Sequence, residues 1–135
     1  MILSGSIQAW LDRVAQSANG NPGFNQASRW LDMTMVIGFG ARRFWFKLYR
    51  GRIIDAMAYN SVSNMLGYDV VMSGPDEAWS RVVSGATTFG REATIGVFSH
   101  DGNRTEAEKS YKAQIILGAE VIPAVGLPPA EEASK

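Results

Sequence analysis

From Leu31 onward apolar residues recur at every second position, with Leu31, Met33, Met35, Ile37 and Phe39 on one side and Asp32 and Thr34 on the other. That alternation predicts a strand with one buried face. Gly40-Ala-Arg42 reads as a hairpin turn, after which Phe44, Phe46 and Leu48 alternate with Trp45, Lys47 and Tyr49, and Lys47 marks its side as the one nearer water. Gly51 predicts a second tight turn into a third strand, Arg52 to Tyr59. Its faces are ambiguous, because Ile53, Met57 and Tyr59 share a side with Asp55 while Ile54, Ala56 and Ala58 line the other. Tyr68 to Met72 and Thr94 to Ser99 supply strands four and five.

Helical spacing governs the two ends. Ile7, Trp10, Leu11, Val14, Ala15 and Ala18 predict an amphipathic first helix, with Ser4 or Ser6 as N-cap and Asn19-Gly20 as its stop. Asn19 to Gly23 is a turn-forming linker, with Phe24 tucked back as an anchor. Asn60 to Gly67, with Val62, Met65 and Leu66 its apolar positions, reads as a loop containing at most a helical turn. His100-Asp-Gly-Asn103 reads as a turn. Thr105-x-x-Glu108 matches a capping box for a last helix whose stripe is Ala107, Tyr111 and Ile115, whose wet face pairs Glu108 with Lys112, and which ends at Gly118. Ile122 to Pro129 is expected as an extended tail on the surface, with 130–135 frayed.

Between strands four and five lies the most informative stretch. Val70 to Met72 is an apolar run halted by Gly74-Pro75, and Pro75 suits the first helical position. Asp76 and Glu77 follow where a helix N-terminus favours carboxylates. Trp79, Val82 and Val83 then fall on one face, and Gly85 ends the helix. Strands bracketed by helices without βαβ alternation indicate an α+β fold: a five-stranded, largely antiparallel sheet with helices packed on one face. The 135 residues form one domain, with a core of about 4–119 and a Pro-rich tail over 120–135.

Charge and composition narrow the function. Lys+Arg and Asp+Glu are each 13, so no basic stripe is available to neutralise a phosphate backbone, and nucleic acid is not expected as a partner. The absence of Cys and the single His exclude disulfide frameworks, thiolate nucleophiles and multi-histidine metal sites, and no cofactor is implied. Neither a secretory leader nor a run long enough to span a bilayer is visible, which makes a cytoplasmic protein the expectation. Arg42-Arg43 and Arg50-Gly-Arg52 at strand ends offer a cationic rim for a carboxylate, an acyl-coenzyme A phosphate or transient contact with an anionic membrane.

Two spots suggest acid–base chemistry. His100-Asp101 is a weak dyad, since turn neighbours rarely point at one another. Asp55 with Tyr59, on an otherwise apolar side of a strand, is the better base. The alternative explanation is a surface carboxylate beside Arg43, Arg50 or Arg52. Six Met, six Phe, four Trp and four Tyr in one small chain suit either an ordinary core or a space that adapts to a hydrophobic guest.

Over residues of about 30–119, the order of strands and the pattern Gly74, Trp79, apolar residues, Gly85 resembles the sterol carrier protein type-2 family. The resemblance implies non-enzymatic binding or transfer of a fatty acid, acyl-CoA or sterol-like lipid in an apolar tunnel between sheet and helices. It places Met33, Met35, Ile37, Phe44, Phe46, Leu48 and Met57 on the sheet side, and Trp79, Val82, Val83, Tyr111 and Ile115 on the helix side. Two other functions compete with it. One is a small isomerase or cyclase acting on a steroid- or polyketide-like substrate with Asp55 as base; the other is a protein-interaction module serving a lipid-metabolising enzyme. Oligomeric state is not readable.

Overall fold

The computed structural model describes residues 6–60 and 67–130. Helix α1 (Ser6–Asn19) and the short α2 (Pro22–Ala27) precede a meander of β1 (Asp32–Phe39), β2 (Arg42–Tyr49) and β3 (Arg52–Ala58). Then come β4 (Val70–Gly74), α3 (Asp76–Ser84), α4 (Phe89–Thr94), β5 (Ser99–Gly102), α5 (Arg104–Ile116), a π-helical turn (Leu117–Val121) and α6 (Ile122–Val125). The sheet runs β3-β2-β1-β4-β5; β1 and β4 are parallel and every other pair is antiparallel. This is the expected α+β fold. Ser4 and Met65, with most of the 60–67 loop and of the 130–135 end, lie outside the described residues.

One sheet face takes the helices. Met33, Met35, Ile37 and Phe39 of β1 lie beside Phe44, Phe46 and Leu48 of β2 and Val70 and Met72 of β4, all buried. Trp10, Leu11, Val14 and Ala18 of α1 and Ala78, Trp79 and Val82 of α3 close over them. Full burial of each such aliphatic or aromatic side chain contributes about 1.5–3 kcal/mol before ordering costs.

A bulge resolves the ambiguous third strand. Lys47 pairs with Asp55 and Leu48 with Ile53, so Ile54 is the extra residue and the inward set switches from Ile53 to Ala56 and Ala58. Asp55 and Met57 therefore face away from the helices, beside Lys47 and Trp45. Trp45 nevertheless is buried on that outer face, donating its indole N–H to the Gly67 carbonyl at 3.0 Å.

Several expectations are corrected. Residues 22–27 form a helix, because Asn21 caps it by accepting from the Phe24 N–H and Pro22 suits its first turn. Pro75 is the N-cap of α3 rather than its first helical residue. Residues 94–98 are not a strand: Thr88 caps a helix ending at Thr94, and Gly96 at φ 87° turns the chain so that Phe98 enters the core. β5 begins only at Ser99, and His100 to Gly102, expected as a turn, pairs with β4. Asn103, not Thr105, caps α5 by accepting from the Glu106 N–H, and Glu108 meets Arg104 rather than Lys112.

The largest correction is at the end of the chain. Pro123 lacks an N–H and would crowd the carbonyl four residues earlier in a regular helix. The chain instead widens, with the Ile122 N–H reaching the Leu117 carbonyl, and continues helically to Val125. Val121 and Ile122 are completely buried, and Gly126 accepts from the Trp10 indole at 2.8 Å.

Candidate functional site

The interior between sheet and helices is a chain of touching rings. Trp10 lies 4.9 Å from Phe44 and 5.5 Å from Phe39, and Phe39 lies 4.6 Å from Trp79. Trp79 meets Phe98 at 4.6 Å, Phe98 meets Phe89 at 4.6 Å, and Phe89 leads to His100 at 6.1 Å. His100 lies 5.5 Å from Tyr111, which is at the surface. An apolar path thus runs from the heart of the molecule to its exterior at the β5–α5 junction.

Local chemistry positions the rings. Trp79 is held by α3, where Asp76 and Glu77 occupy the first turn and Gly85 at φ 87° closes the last. Its indole N–H donates to the Gly38 carbonyl at 3.0 Å, fixing the ring over the C-terminal end of β1. Two glycines make room beside it. A methyl on Gly74 would run into the Phe98 ring, and one on Gly118 would fall 2.5 Å from the Phe89 ring. Behind Phe89, the carboxylate of Glu92 accepts from Thr87 and pairs with Arg81, and these partners hold its pKa below the ordinary carboxylate value.

At the outer end of the path a groove of about 420 Å³ is lined by His100, Arg104, Ala107, Glu108 and Tyr111. His100 projects to the helix side of β5, and its Nδ1 lies 2.6 Å from the Gln114 Oε1. Asp101, the next residue along the strand, faces the other way and is exposed, so the pair is not a dyad. A larger hollow of about 780 Å³, lined by 85–88, Arg91 and Glu92, is polar, and none of the rings of the path lines it.

Of the residues expected to line a lipid space, Met33, Met35, Ile37, Phe44, Phe46, Leu48, Trp79 and Val82 are buried together in the interior. Val83 and Ile115 pack against its margin. Tyr111 is 51% exposed and stands at the groove. Met57 lies on the opposite sheet face, turned there by the bulge. Asp55 shares that face, is exposed, and accepts from the Ala56 N–H at 2.9 Å, so it lacks the apolar surroundings expected of it as a base. Arg42-Arg43 and Arg50-Arg52 stand at opposite ends of the eight-residue β2, roughly 20 Å apart at strand rise, and form no single rim.

Trp10, Phe39, Phe89 and Phe98 complete the ring path and were not among the expected lining residues. Phe39 was visible in the β1 alternation and Trp10 in the α1 stripe. Nothing local marks Phe89 and Phe98 as neighbours. The Ser110 and Gln114 side chains behind His100 are buried polar groups that no periodicity foretells.

No family model matches the sequence, and no curated protein matches it either. Solved structures do match. A sterol carrier protein 2 crystal structure superposes with a TM-score of 0.69 at 15% identity, over 87% of this chain and 96% of that one. A conserved hypothetical protein from Thermus thermophilus gives 0.65 at 14% identity, over 91% and 90%. A ubiquinone synthesis protein, UbiJ-SCP2, gives 0.56 at 9% identity, over 90% and 95%. The chain therefore has the sterol carrier protein 2 fold.

Proposed function

We propose that the protein is a non-enzymatic, cytoplasmic carrier of a hydrophobic lipid, held between the sheet and the helices. The observation that carries this reading is the coincidence of two things: a fold shared over nearly the whole length of a sterol carrier protein 2, and an interior layer of methionines and aromatic rings that reaches the surface at one groove. The rings meet one another in the described structure, so a guest enters by displacing them. Met33, Met35 and Met72, with their unbranched and polarizable side chains, are suited to repacking around it. Burial of an alkyl chain or ring system supplies about 25 cal/mol per Å² removed from water, against the cost of ordering ligand and side chains. Val82 and Phe89 form the part of the wall that moves with the guest, against the fixed Trp79; Tyr111 stands at its mouth.

The test is titration of the purified protein with a fluorescent fatty acid or sterol analogue. Saturable binding of one ligand per chain is expected, displaced by unlabelled palmitate or sterol. It should carry a negative heat-capacity change and little salt dependence, since apolar burial drives it. Saturable probe binding that no lipid displaces would remove the carrier function.

A further inference from the structure

The hydrogen bonds behind His100 fix which of its nitrogens carries the proton. Ser110 Oγ lies 2.6 Å from the Glu106 backbone carbonyl, which has no hydrogen to offer, so the hydroxyl must donate there. Having spent its proton, the same oxygen accepts from the Gln114 amide nitrogen at 3.0 Å. That orients the Gln114 carbonyl oxygen towards His100, and the 2.6 Å contact with Nδ1 requires Nδ1 to be the donor. Ser110 and Gln114 are both fully buried, so water does not compete for these bonds. In the neutral ring, Nε2 is therefore left with a lone pair facing outward from this relay. It is shielded from solvent and has no hydrogen-bonding partner among the described residues. An acceptor so placed gains a bond from any donor that reaches it.

We propose that the β5–α5 groove receives the hydroxyl group of an amphipathic lipid, an alcohol rather than a carboxylate, with His100 Nε2 as its acceptor. This rests on the carrier function proposed above and names the ligand class. The groove supplies both halves of such a molecule's surroundings: Ala107 and the Tyr111 ring flank the head, and Phe89, 6.1 Å from the imidazole, begins the apolar path for the tail. A carboxylate is a poor fit because it has no hydrogen to give a neutral Nε2. Arg104, the cation that lines the groove, is already paired with Glu108 at 3.5 Å and is not free for it. Tyr111, half exposed, is the side chain that swings to admit the head group.

The full chain is titrated calorimetrically with dodecan-1-ol, with dodecyl methyl ether, which keeps the oxygen but loses the donor, and with dodecanoate. The alcohol should bind about tenfold more tightly than the ether, the scale of one hydrogen bond to a shielded acceptor. In His100→Phe the preference for alcohol over ether should vanish. Nitrogen-15 NMR of the free wild type should show the proton on Nδ1, and the Nε2 resonance should move with the alcohol but not with the ether; this arm stands even where His100→Phe does not fold. Equal affinity for alcohol and ether, a preference that survives in His100→Phe, or a proton on Nε2 in the free protein each overturns the hydroxyl assignment while leaving lipid carriage intact. Failure of all three ligands to bind would instead remove the carrier function and this inference with it.

Discussion

Trp79 is fixed on two sides, its indole packed among Phe39, Phe89 and Phe98 and its N–H on the Gly38 carbonyl. Trp79→Ala should therefore cost about 3–5 kcal/mol, the range for aromatic truncation in a core, read as a lowered midpoint in urea. Trp79→Phe keeps most of the packing but leaves the Gly38 carbonyl without its donor, so a loss of about 1–3 kcal/mol is expected. A Trp79→Ala variant that unfolds alongside wild type would place the indole outside the core. This residue was legible because the helix stop at Gly85, the acidic first turn and the apolar spacing all pointed one way. Asp55 was not, because the face of a strand residue depends on register, and a single bulged residue, Ile54, reverses it.

Among the elements, the exposed edge of β3 shows how helix and sheet are tied. Asn19, at the end of α1, accepts from the Ile53 N–H at 2.7 Å and donates to the Ile53 carbonyl at 3.1 Å, satisfying both backbone groups beside the bulge. Asn19→Ala should lose about 1–3 kcal/mol and speed amide exchange at Ile53 more than at Leu48 on the central side. Uniform exchange changes along β2 and β3 would mean that Asn19 only ends its own helix. The sequence allowed the stop at Asn19-Gly20 to be read, but not the second task of the side chain, since a bond across 34 positions has no local trace. The phase of α5 failed for a related reason. Its apolar residues predicted Tyr111 inward, yet Ser110, Ala113 and Gln114 are buried, the two polar ones because the His100 relay satisfies them.

For the molecule as a whole, fold class followed from the order of strands and helices, but its C-terminal boundary did not. Gly118, Pro123 and the Pro128-Pro129 pair are local helix breakers, and local preference argued for a surface tail. Tertiary burial overrides it: Gly118 is needed where Phe89 presses against the helix, and the π-turn absorbs Pro123. A chain ending at Ala119 would lose the burial of Val121 and Ile122, about 1.5–3 kcal/mol each, and the acceptor of the buried Trp10 indole, about 1–3 kcal/mol. Against a typical margin of about 5–15 kcal/mol, that loss should abolish cooperative unfolding or leave a barely stable chain that binds a hydrophobic dye. The point variant Ile122→Ala should lose about 2–5 kcal/mol, whereas Leu127→Ser, at a position 38% exposed, should change the melting temperature little. If the chain ending at Ala119 melts as sharply and as high as the full chain, residues 120–126 are the surface tail that their prolines suggest, and the core closes without them.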